Sequence, residues 1–302
     1  MQINGTEIVD TYAEAFPIWL SRVIITADTH ELAMVAATEA TGFATSTIMC
    51  PCEAGIERYY SPEETPDKRP GVSIFICTAR KSMKENVAAR ISQCVLTAAT
   101  ASAFDGFPDV AGTRFHIKMH YFGDSHESRC TVSGRKCWKI PVMEGDYIGE
   151  ESFGAVKGIA GGNFLIMGKD KQSALSAAQA AIEAIRNREG IITGFPGGIV
   201  ASGSKVASKN YRFPMSASTN HRLCPTLKGK IEDSLVPDGV NSIYEIVING
   251  TDTGVIEAAM RDGILAATKK EGVLYIGAGN YDGKLGTNNF YLYEILKNVY
   301  ET

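Results

Sequence analysis

Glu245 is the charged residue whose position in the sequence most needs a chemical explanation. It interrupts the apolar run NSIYEIVING at residues 241–250. If this run is a strand, Tyr244, Ile246 and Ile248 share one face, and Glu245, Val247 and Asn249 share the other. Two interpretations stay open. Glu245 is either an ordinary glutamate on a half-exposed face, or a carboxylate in a partly apolar cleft whose pKa is raised towards neutrality for acid–base work.

The second segment with chemical potential is FPGGIVASGSK at residues 195–205. Its Ser202 and Lys205 form a Ser-x-x-Lys pair, but a serine nucleophile would need a helix and partner motifs that the sequence does not display. A glycine-rich loop can instead bind an anionic or polar ligand through backbone N–H groups and a lysine. Gly197, Gly198 and Lys205 are therefore predicted ligand contacts. A tight turn after a strand explains the same glycines equally well.

The three glycine clusters of the chain do not match a nucleotide-binding motif. The clusters at 158–163, 195–198 and 277–283 lack the G-x-G-x-x-G spacing between a strand and a helix. No acidic residue follows at the distance expected for a ribose contact. The sequence thus disfavours a nicotinamide or flavin site.

Metal ligation has equally weak support. Cys50 and Cys52 form a C-x-C pair, but no second pair lies at zinc-finger spacing. His116 and His120 are four residues apart on a predicted strand and would share a face, where Lys118 also lies. An exposed strand face is the simpler interpretation. We therefore predict no metal site and no permanently bound cofactor.

Composition limits the class of protein. The chain has 302 residues, of which 44% are hydrophobic and 21% charged, which is ordinary for a globular protein. Its net charge of −4 provides no basic field for nucleic acid. The start lacks a secretory pattern and no apolar stretch is long enough to span a membrane. Seven cysteines, an odd number, indicate reduced thiols. We predict a cytoplasmic protein.

The elements of the first half alternate as strand, helix, strand, strand, helix, strand. Thr29 is the predicted N-cap of the first helix, and Gly42 ends it. This order is typical of a ferredoxin-like sandwich, in which helices pack on one face of an antiparallel sheet. The predicted strands lie at 21–27, 45–50, 72–78 and 115–122, and the predicted helices at 29–41 and about 82–99.

The second half contains an internal repeat. Residues 168–197 overlay residues 250–279 after a shift of 82 positions without gaps, including Gly168 on Gly250. Both copies have the pattern of a strand, an alanine-rich helix, a Glu-Gly stop and a second strand. The predicted fold class is therefore α+β, with two ferredoxin-like lobes of split β-α-β type. The predicted lobes are 1–144 and 145–302, with an inserted functional loop at about 198–240.

Several blocks of the sequence strongly resemble the formylmethanofuran–tetrahydromethanopterin formyltransferase family, which acts in archaeal one-carbon metabolism. The blocks occur in the family order from the start of the chain to the last glycine-rich loop. Cys52 and Asp282 depart from the pattern, standing in place of alanine and glycine. The blocks are TEATGFATSTIMCPCEAGIE (38–57), ETPDKRPGV (64–72), GRKCWKIPVMEGDYI (134–148), GIAGGNFLIM (158–167), FPGGIVASGSKVASKNY (195–211), ASTN (217–220), YEIVING (244–250) and AGNYDGKLG (278–286).

This resemblance implies the two-lobed fold and a homo-oligomer, commonly a tetramer. It also implies reversible formyl transfer from the amine of methanofuran to a ring nitrogen of tetrahydromethanopterin, both acting as co-substrates. The family's acid–base glutamate corresponds to Glu245 because YEIVING matches residue for residue. Amide exchange between two nitrogens needs positioning and proton transfer rather than a metal or a covalent nucleophile. A non-catalytic scaffold subunit and a formyl hydrolase are the alternatives.

Further substrate contacts are predicted around this glutamate. Backbone amides of the glycine loop, or the amide of Asn249, could stabilise the tetrahedral oxyanion. Each of the other predicted contacts could instead hold its own loop by hydrogen bonds. These contacts are Ser204, Lys205, Thr219 and Asn220 in the inserted loop, and Glu53 in CPCEAGIE.

Overall fold

The structure is a computed structural model that describes residues 1–110, 113–203, 205–208, 210–284 and 286–297. Its α-helices are α1 (His30–Thr41), α2 (Arg80–Arg90), α3 (Lys171–Ile185), α4 (Thr253–Thr268) and α5 (Leu292–Leu296). Its strands are β1 (Gln2–Ile3), β2 (Thr6–Ile8), β3 (Tyr12–Thr26), β4 (Glu53–Tyr60), β5 (Gly71–Thr78), β6 (Ser102–Asp105), β7 (Arg114–His116), β8 (Ser128–Val132), β9 (Arg135–Val142), β10 (Gly145–Glu150), β11 (Ser152–Gly154), β12 (Val156–Gly168), β13 (Ile191–Ile192), β14 (Ile199–Val200), β15 (Lys205–Ser208), β16 (Met215–Ser218), β17 (Ser242–Gly250), β18 (Val273–Gly277) and β19 (Asn288–Tyr291).

The unit Ile18–Gly158 is one ferredoxin-like lobe. Its antiparallel strands lie in the order β4-β5-β3-β6, with α1 after the first strand and α2 after the third in chain order. Alanines of α1 and Met83 and Val87 of α2 form one core with Ile74 and Ile76 of β5. Beyond β6, the strands β10, β9 and β8 continue the sheet. The predicted α+β class and sandwich are confirmed for this lobe.

Two of the strands predicted in this lobe are wrong. Residues 45–50 form turns, in which Cys50 N–H donates to the Ser46 carbonyl at 2.8 Å and Met49 is exposed. The second strand is β4 instead, which carries Glu57 and Arg58 and so lacks an apolar run. Residues 115–122 are also not one strand, because a 3-10 turn begins at Met119. The fourth strand is the short β6.

The unit made of Met1–Pro17 and Ile159–Thr302 holds the second lobe. Its strands lie in the order β18-β12-β17-β13, and every pair is antiparallel. Taken in chain order, these strands have the same arrangement as the four strands of the first lobe. The apolar core lies between this sheet and the helices α3 and α4, and includes Phe164, Ile246 and Ile248. This second sandwich confirms the predicted pair of ferredoxin-like lobes.

The predicted internal repeat is confirmed in detail. Asp170 caps α3 by accepting the Ser173 N–H at 2.8 Å, and Asp252 caps α4 in the same way from Val255 at 3.1 Å. The two caps are 82 residues apart, as the alignment of the copies requires. Two glycines with positive φ, Gly190 (+87°) and Gly272 (+83°), then lead into β13 and β18. The two copies thus have equivalent starts, helices and stops.

The compact units divide the chain at residues 17–18 and 158–159. The division between lobes 1–144 and 145–302 stays a prediction. The inserted segment 198–240 contains β14, the hairpin β15–β16 and short 3-10 turns. Among the described residues, no helix combines the length and the apolar character that a membrane span requires.

Candidate active site

Glu245 lies on the face of β17 that points away from the two helices. Its neighbours Ile246 and Ile248 are fully buried in the helix-side core, and side chains alternate along a strand. The residue opposite Glu245 on one side is Leu165 of β12, and on the other side Val200 of β14. The alternation predicted for this strand is confirmed, and Glu245 is placed between two apolar cross-strand neighbours.

Electrostatics single out this carboxyl group. Burial raises the pKa of Glu245 from 4.5 to about 7, although the residue keeps partial contact with solvent. Desolvation disfavours the charged form of a carboxyl group, and here it acts without an opposing charge. Among the described residues, no hydrogen bond or ion pair is made by the Glu245 side chain. A group with these properties can accept and release a proton near neutral pH.

The glycine segment runs beside Glu245. Pro196–Gly198 form a 3-10 turn directly before β14, whose Val200 pairs with Glu245. Gly197 has φ +63°, and a Cβ there would meet no atom within 4 Å. Gly198 has φ +78°, and a Cβ there would lie 2.4 Å from Ile182 Cδ1. Gly198 is thus required for packing, whereas Gly197 stands in open space.

The remaining predicted contacts of the inserted segment that the structure describes lie in the hairpin β15–β16 or directly after it. Lys205 begins β15, and its Nζ lies 2.9 Å from Nδ1 of His221. Thr219 is exposed, and its hydroxyl donates to the Ser202 carbonyl at 2.7 Å. Asn220 is half-buried and accepts the Leu223 N–H through its carbonyl at 3.0 Å. The last predicted contact in this segment, Ser204, lies outside the described residues.

Asn249 is placed two residues beyond Val247 on the Glu245 face, but it is 3% exposed. Its Oδ1 accepts the Gly161 N–H at 3.1 Å. Gly161 has φ +99° and forms a bulge where the register of β12 shifts. The observed contact of Asn249 is therefore with the protein backbone, and its role as a ligand contact stays a prediction.

Glu53 belongs to the unit Ile18–Gly158, where it starts β4 opposite Cys77. Its Oε1 accepts the backbone N–H of Thr47 at 3.1 Å and the Thr47 hydroxyl at 3.3 Å. These bonds hold the turn that precedes β4. The predicted contact between Glu53 and substrate stays a prediction.

The residues of the other candidate motifs make local structural contacts. Lys205 begins a strand, so the Ser-x-x-Lys pair is not on a helix. Burial raises the pKa of the Cys52 thiol, to which the Arg90 Nε donates at 3.1 Å. His116 is exposed on β7, whereas His120 stacks on Trp138 with ring centroids 4.2 Å apart. Among the described residues, no three His, Cys, Asp or Glu side chains are grouped to hold a metal ion.

Sequence reasoning missed Tyr281, on which the charge of Glu245 acts, and Glu14, which binds the backbone of Tyr281. Burial, followed by the charges of Glu245 and Glu14, raises the pKa of Tyr281. Glu14 is 1% exposed and accepts the Tyr281 N–H at 2.8 Å. The available signal was a glutamate in the apolar start of β3, similar to the one at Glu245, together with the tyrosine in AGNYDG.

Comparisons with known proteins place this arrangement in a family. The model described as "Formylmethanofuran-tetrahydromethanopterin formyltransferase" matches residues 1–142, and the model described as "FTR, proximal lobe" matches residues 145–295. The chain belongs to the formylmethanofuran–tetrahydromethanopterin formyltransferase family. Members of this formyltransferase family are acyltransferases, so the predicted enzyme class is confirmed.

Full-length formyltransferases support this assignment. The Methanosarcina acetivorans protein of that name is 56% identical over 98% of this chain and 100% of its own length. The corresponding enzyme of Archaeoglobus fulgidus is 52% identical with the same coverage. The solved formyltransferase from Methanosarcina barkeri superposes with a TM-score of 0.94 at 55% identity, covering 98% of this chain and all of its own.

A second solved structure comes from a larger assembly. It is a chain of the formyltransferase/hydrolase complex FhcABCD of Methylorubrum extorquens, solved with methylofuran. It is 39% identical, with a TM-score of 0.91 and 98% coverage of both chains. The formyltransferase fold is therefore shared with a component of a multi-subunit complex.

Proposed function

We propose that this protein reversibly transfers a formyl group from formylmethanofuran to tetrahydromethanopterin, giving 5-formyl-tetrahydromethanopterin and methanofuran, with Glu245 as the general acid and base. The observation that carries the mechanism is one carboxyl group with a pKa of about 7 between apolar neighbours. Family membership supports the reaction, and the state of Glu245 supports its role.

The chemistry is an exchange of one amide for another. The pterin nitrogen attacks the formyl carbon, and a tetrahedral oxyanion forms while the ionised Glu245 takes the proton from the attacking nitrogen. Protonated Glu245 then delivers this proton to the methanofuran nitrogen as its bond to the formyl carbon breaks. A group with a pKa near the working pH is suited to both steps. Direct attack within a ternary complex supplies the required proximity.

The proposed substrate contacts lie along the inserted segment. Gly197 stands in open space beside β14, so its backbone can approach a ligand closely. Lys205, Thr219 and Asn220 provide an ammonium group, a hydroxyl group and an amide on the adjoining hairpin and turn. We assign them to binding rather than to proton transfer, because a polar or anionic substrate needs donors of this kind.

The working form is proposed to be a homo-oligomer, in particular a tetramer, in the cytoplasm. The two coenzymes act as co-substrates, and no permanently bound cofactor is proposed. Light scattering coupled to size exclusion measures the oligomeric state directly. A monomer at micromolar concentration contradicts the tetramer.

The deciding experiment is a spectrophotometric assay. Purified protein is mixed with formylmethanofuran and tetrahydromethanopterin in the presence of a chelator, and formation of formyl-pterin is followed. Turnover supports transfer without a dissociable metal. Clean pterin binding without turnover favours a scaffold subunit. Formate release without formyl-pterin favours a hydrolase, an alternative kept because of the similarity to the formyltransferase/hydrolase complex.

A further inference from the structure

The loop that follows β18 is fixed on the buried carboxylate of Glu14. This loop, residues 278–286, is described except at position 285. Glu14 Oε2 accepts the backbone N–H groups of Tyr281 at 2.8 Å and Gly283 at 3.0 Å. Glu14 Oε1 accepts the N–H group of Gly286. One carboxylate thus holds three backbone donors of the same loop.

The start of the loop is held independently by Asn163 of β12. Asn163 Oδ1 accepts the Gly279 N–H at 2.6 Å, and its Nδ2 donates to the Gly279 carbonyl at 3.1 Å. Asn280 then donates to the Tyr12 carbonyl at 3.1 Å. Bonds of this kind, made by buried polar groups, fix a loop geometry because leaving such a group unpaired costs about 1–3 kcal/mol.

Strand register places this loop close to Glu245. Glu245 pairs with Leu165, and Leu165 pairs with Gly277, which is the last residue of β18. Two strand spacings correspond to about 10 Å, and the loop begins at the next residue. Asn163 precedes Leu165 by two residues, so it lies on the same face of the sheet as Glu245. The loop therefore starts on the face that carries the acid–base group.

Tyr281 is the aromatic residue of this loop, and it is half-buried. Burial raises its pKa first, and the negative charges of Glu245 and Glu14 raise it further. Tyr281 therefore remains protonated at the pH at which Glu245 titrates. A phenol in this state is a hydrogen-bond donor that does not compete with Glu245 for the transferred proton.

We propose that Tyr281 donates a hydrogen bond to the formyl oxygen as it becomes an oxyanion, and that Glu14 is the positioning residue that holds Tyr281 in place. The proton stays on Tyr281 throughout, so the balance of the transfer through Glu245 is unchanged. This inference rests on the proposed formyl transfer. It assigns the oxyanion donor to a side chain, in addition to the backbone amides considered above.

The test compares Tyr281→Phe, Glu14→Gln and the double variant in the formyl-transfer assay. Removing one oxyanion donor lowers kcat by about 100-fold. We expect this loss in Tyr281→Phe, with KM within about threefold and the acidic midpoint near pH 7 retained. Glu14→Gln keeps a single acceptor oxygen, so we expect kcat to fall about tenfold. The double variant should be no slower than Tyr281→Phe, because both changes act on one donor.

Matched controls come from the same unit. Glu271→Gln changes a side chain that is 97% exposed, and Tyr291→Phe changes one that is 49% exposed, and both should keep wild-type kcat. A Tyr281→Phe variant with kcat within threefold of wild type overturns the inference, whether or not Glu14→Gln folds. Additive losses in the double variant overturn the positioning role of Glu14. Absence of transfer by the wild-type protein is instead a failure of the proposed function.

Discussion

Replacing Glu245 with glutamine should make the protein both less active and more stable. Glutamine has nearly the shape of a protonated glutamate but cannot exchange a proton. We expect turnover to fall by roughly 100-fold or more. In the wild-type enzyme, kcat/KM should rise with pH, and the midpoint of this rise should lie near pH 7, because ionised Glu245 accepts the proton of the attacking amine. The variant should lack this midpoint.

The stability change has a definite sign and pH window. Burial raises the pKa of Glu245 from 4.5 to about 7, so the folded state holds the proton more tightly than the unfolded chain. Below pH 4.5 both states are protonated, and the variant should match the wild type. Between pH 4.5 and 7 the unfolded wild-type chain ionises first, and the wild type loses stability. Above pH 7 the variant has its full stability advantage over the wild type.

The pKa shift of Glu245 corresponds to about 3 kcal/mol in the free energy of unfolding. Partial contact of Glu245 with solvent lowers the expected gain of the variant at pH 8 to about 2 kcal/mol. For a chain of 302 residues, that gain raises Tm by roughly 3 °C. Calorimetry of both proteins at pH 4.5, 6 and 8 measures the difference, with Glu271→Gln as the exposed control. A difference that does not grow with pH, or turnover within tenfold of wild type, refutes the assigned state of Glu245.

Three further predictions concern the surroundings of this group. Gly198→Ala should destabilise the protein by about 3 kcal/mol in chemical denaturation because of its positive φ and the close approach of a Cβ, whereas Gly197→Ala should cost only about 1 kcal/mol; equal costs contradict the packing role. Asp170→Ala and Asp252→Ala should each cost about 1 kcal/mol through the lost helix cap, and a neutral result in either is evidence against equivalent repeat copies. Lys205→Met should raise the KM for one coenzyme by about tenfold with kcat within twofold, so an unchanged KM excludes this lysine from binding.

Local patterns were sufficient for the helices and the repeat. The cap at Thr29, the alanine-rich helices and the Glu-Gly stops depend on neighbours within a few residues, so the sequence alone places them. The same holds for the alternation around Glu245, since it follows from strand geometry. These features predicted the two-lobed α+β fold before any contact between distant residues was known.

The two strands that were predicted incorrectly show where local sequence patterns are not sufficient to predict the fold. Strand β4 was missed because Glu57 sits in its interior, and its carboxylate is fully buried beside Arg22 of β3 and bonded to the Ser73 hydroxyl at 2.7 Å. The residue pattern of β4 does not predict that Arg22 and Ser73 are the partners of Glu57. Strand β6 was missed similarly, because buried Asp105 is paired with Arg114. A buried charge is tolerated only with such partners, and they come from other strands.

The sequence by itself determined the fold class, the duplicated unit and the position of Glu245 on a strand face, because each follows from periodicity, capping or matching motifs. Only the tertiary structure decided what surrounds that carboxyl group. Its pKa of about 7 arises from desolvation by packing that involves distant parts of the chain. Glu14 and Tyr281 are 267 residues apart in the sequence, and their hydrogen bond exists only after the start of β3 and the loop after β18 have come together within one unit. Proton affinity and donor geometry are therefore properties of the packed protein, not of any local segment.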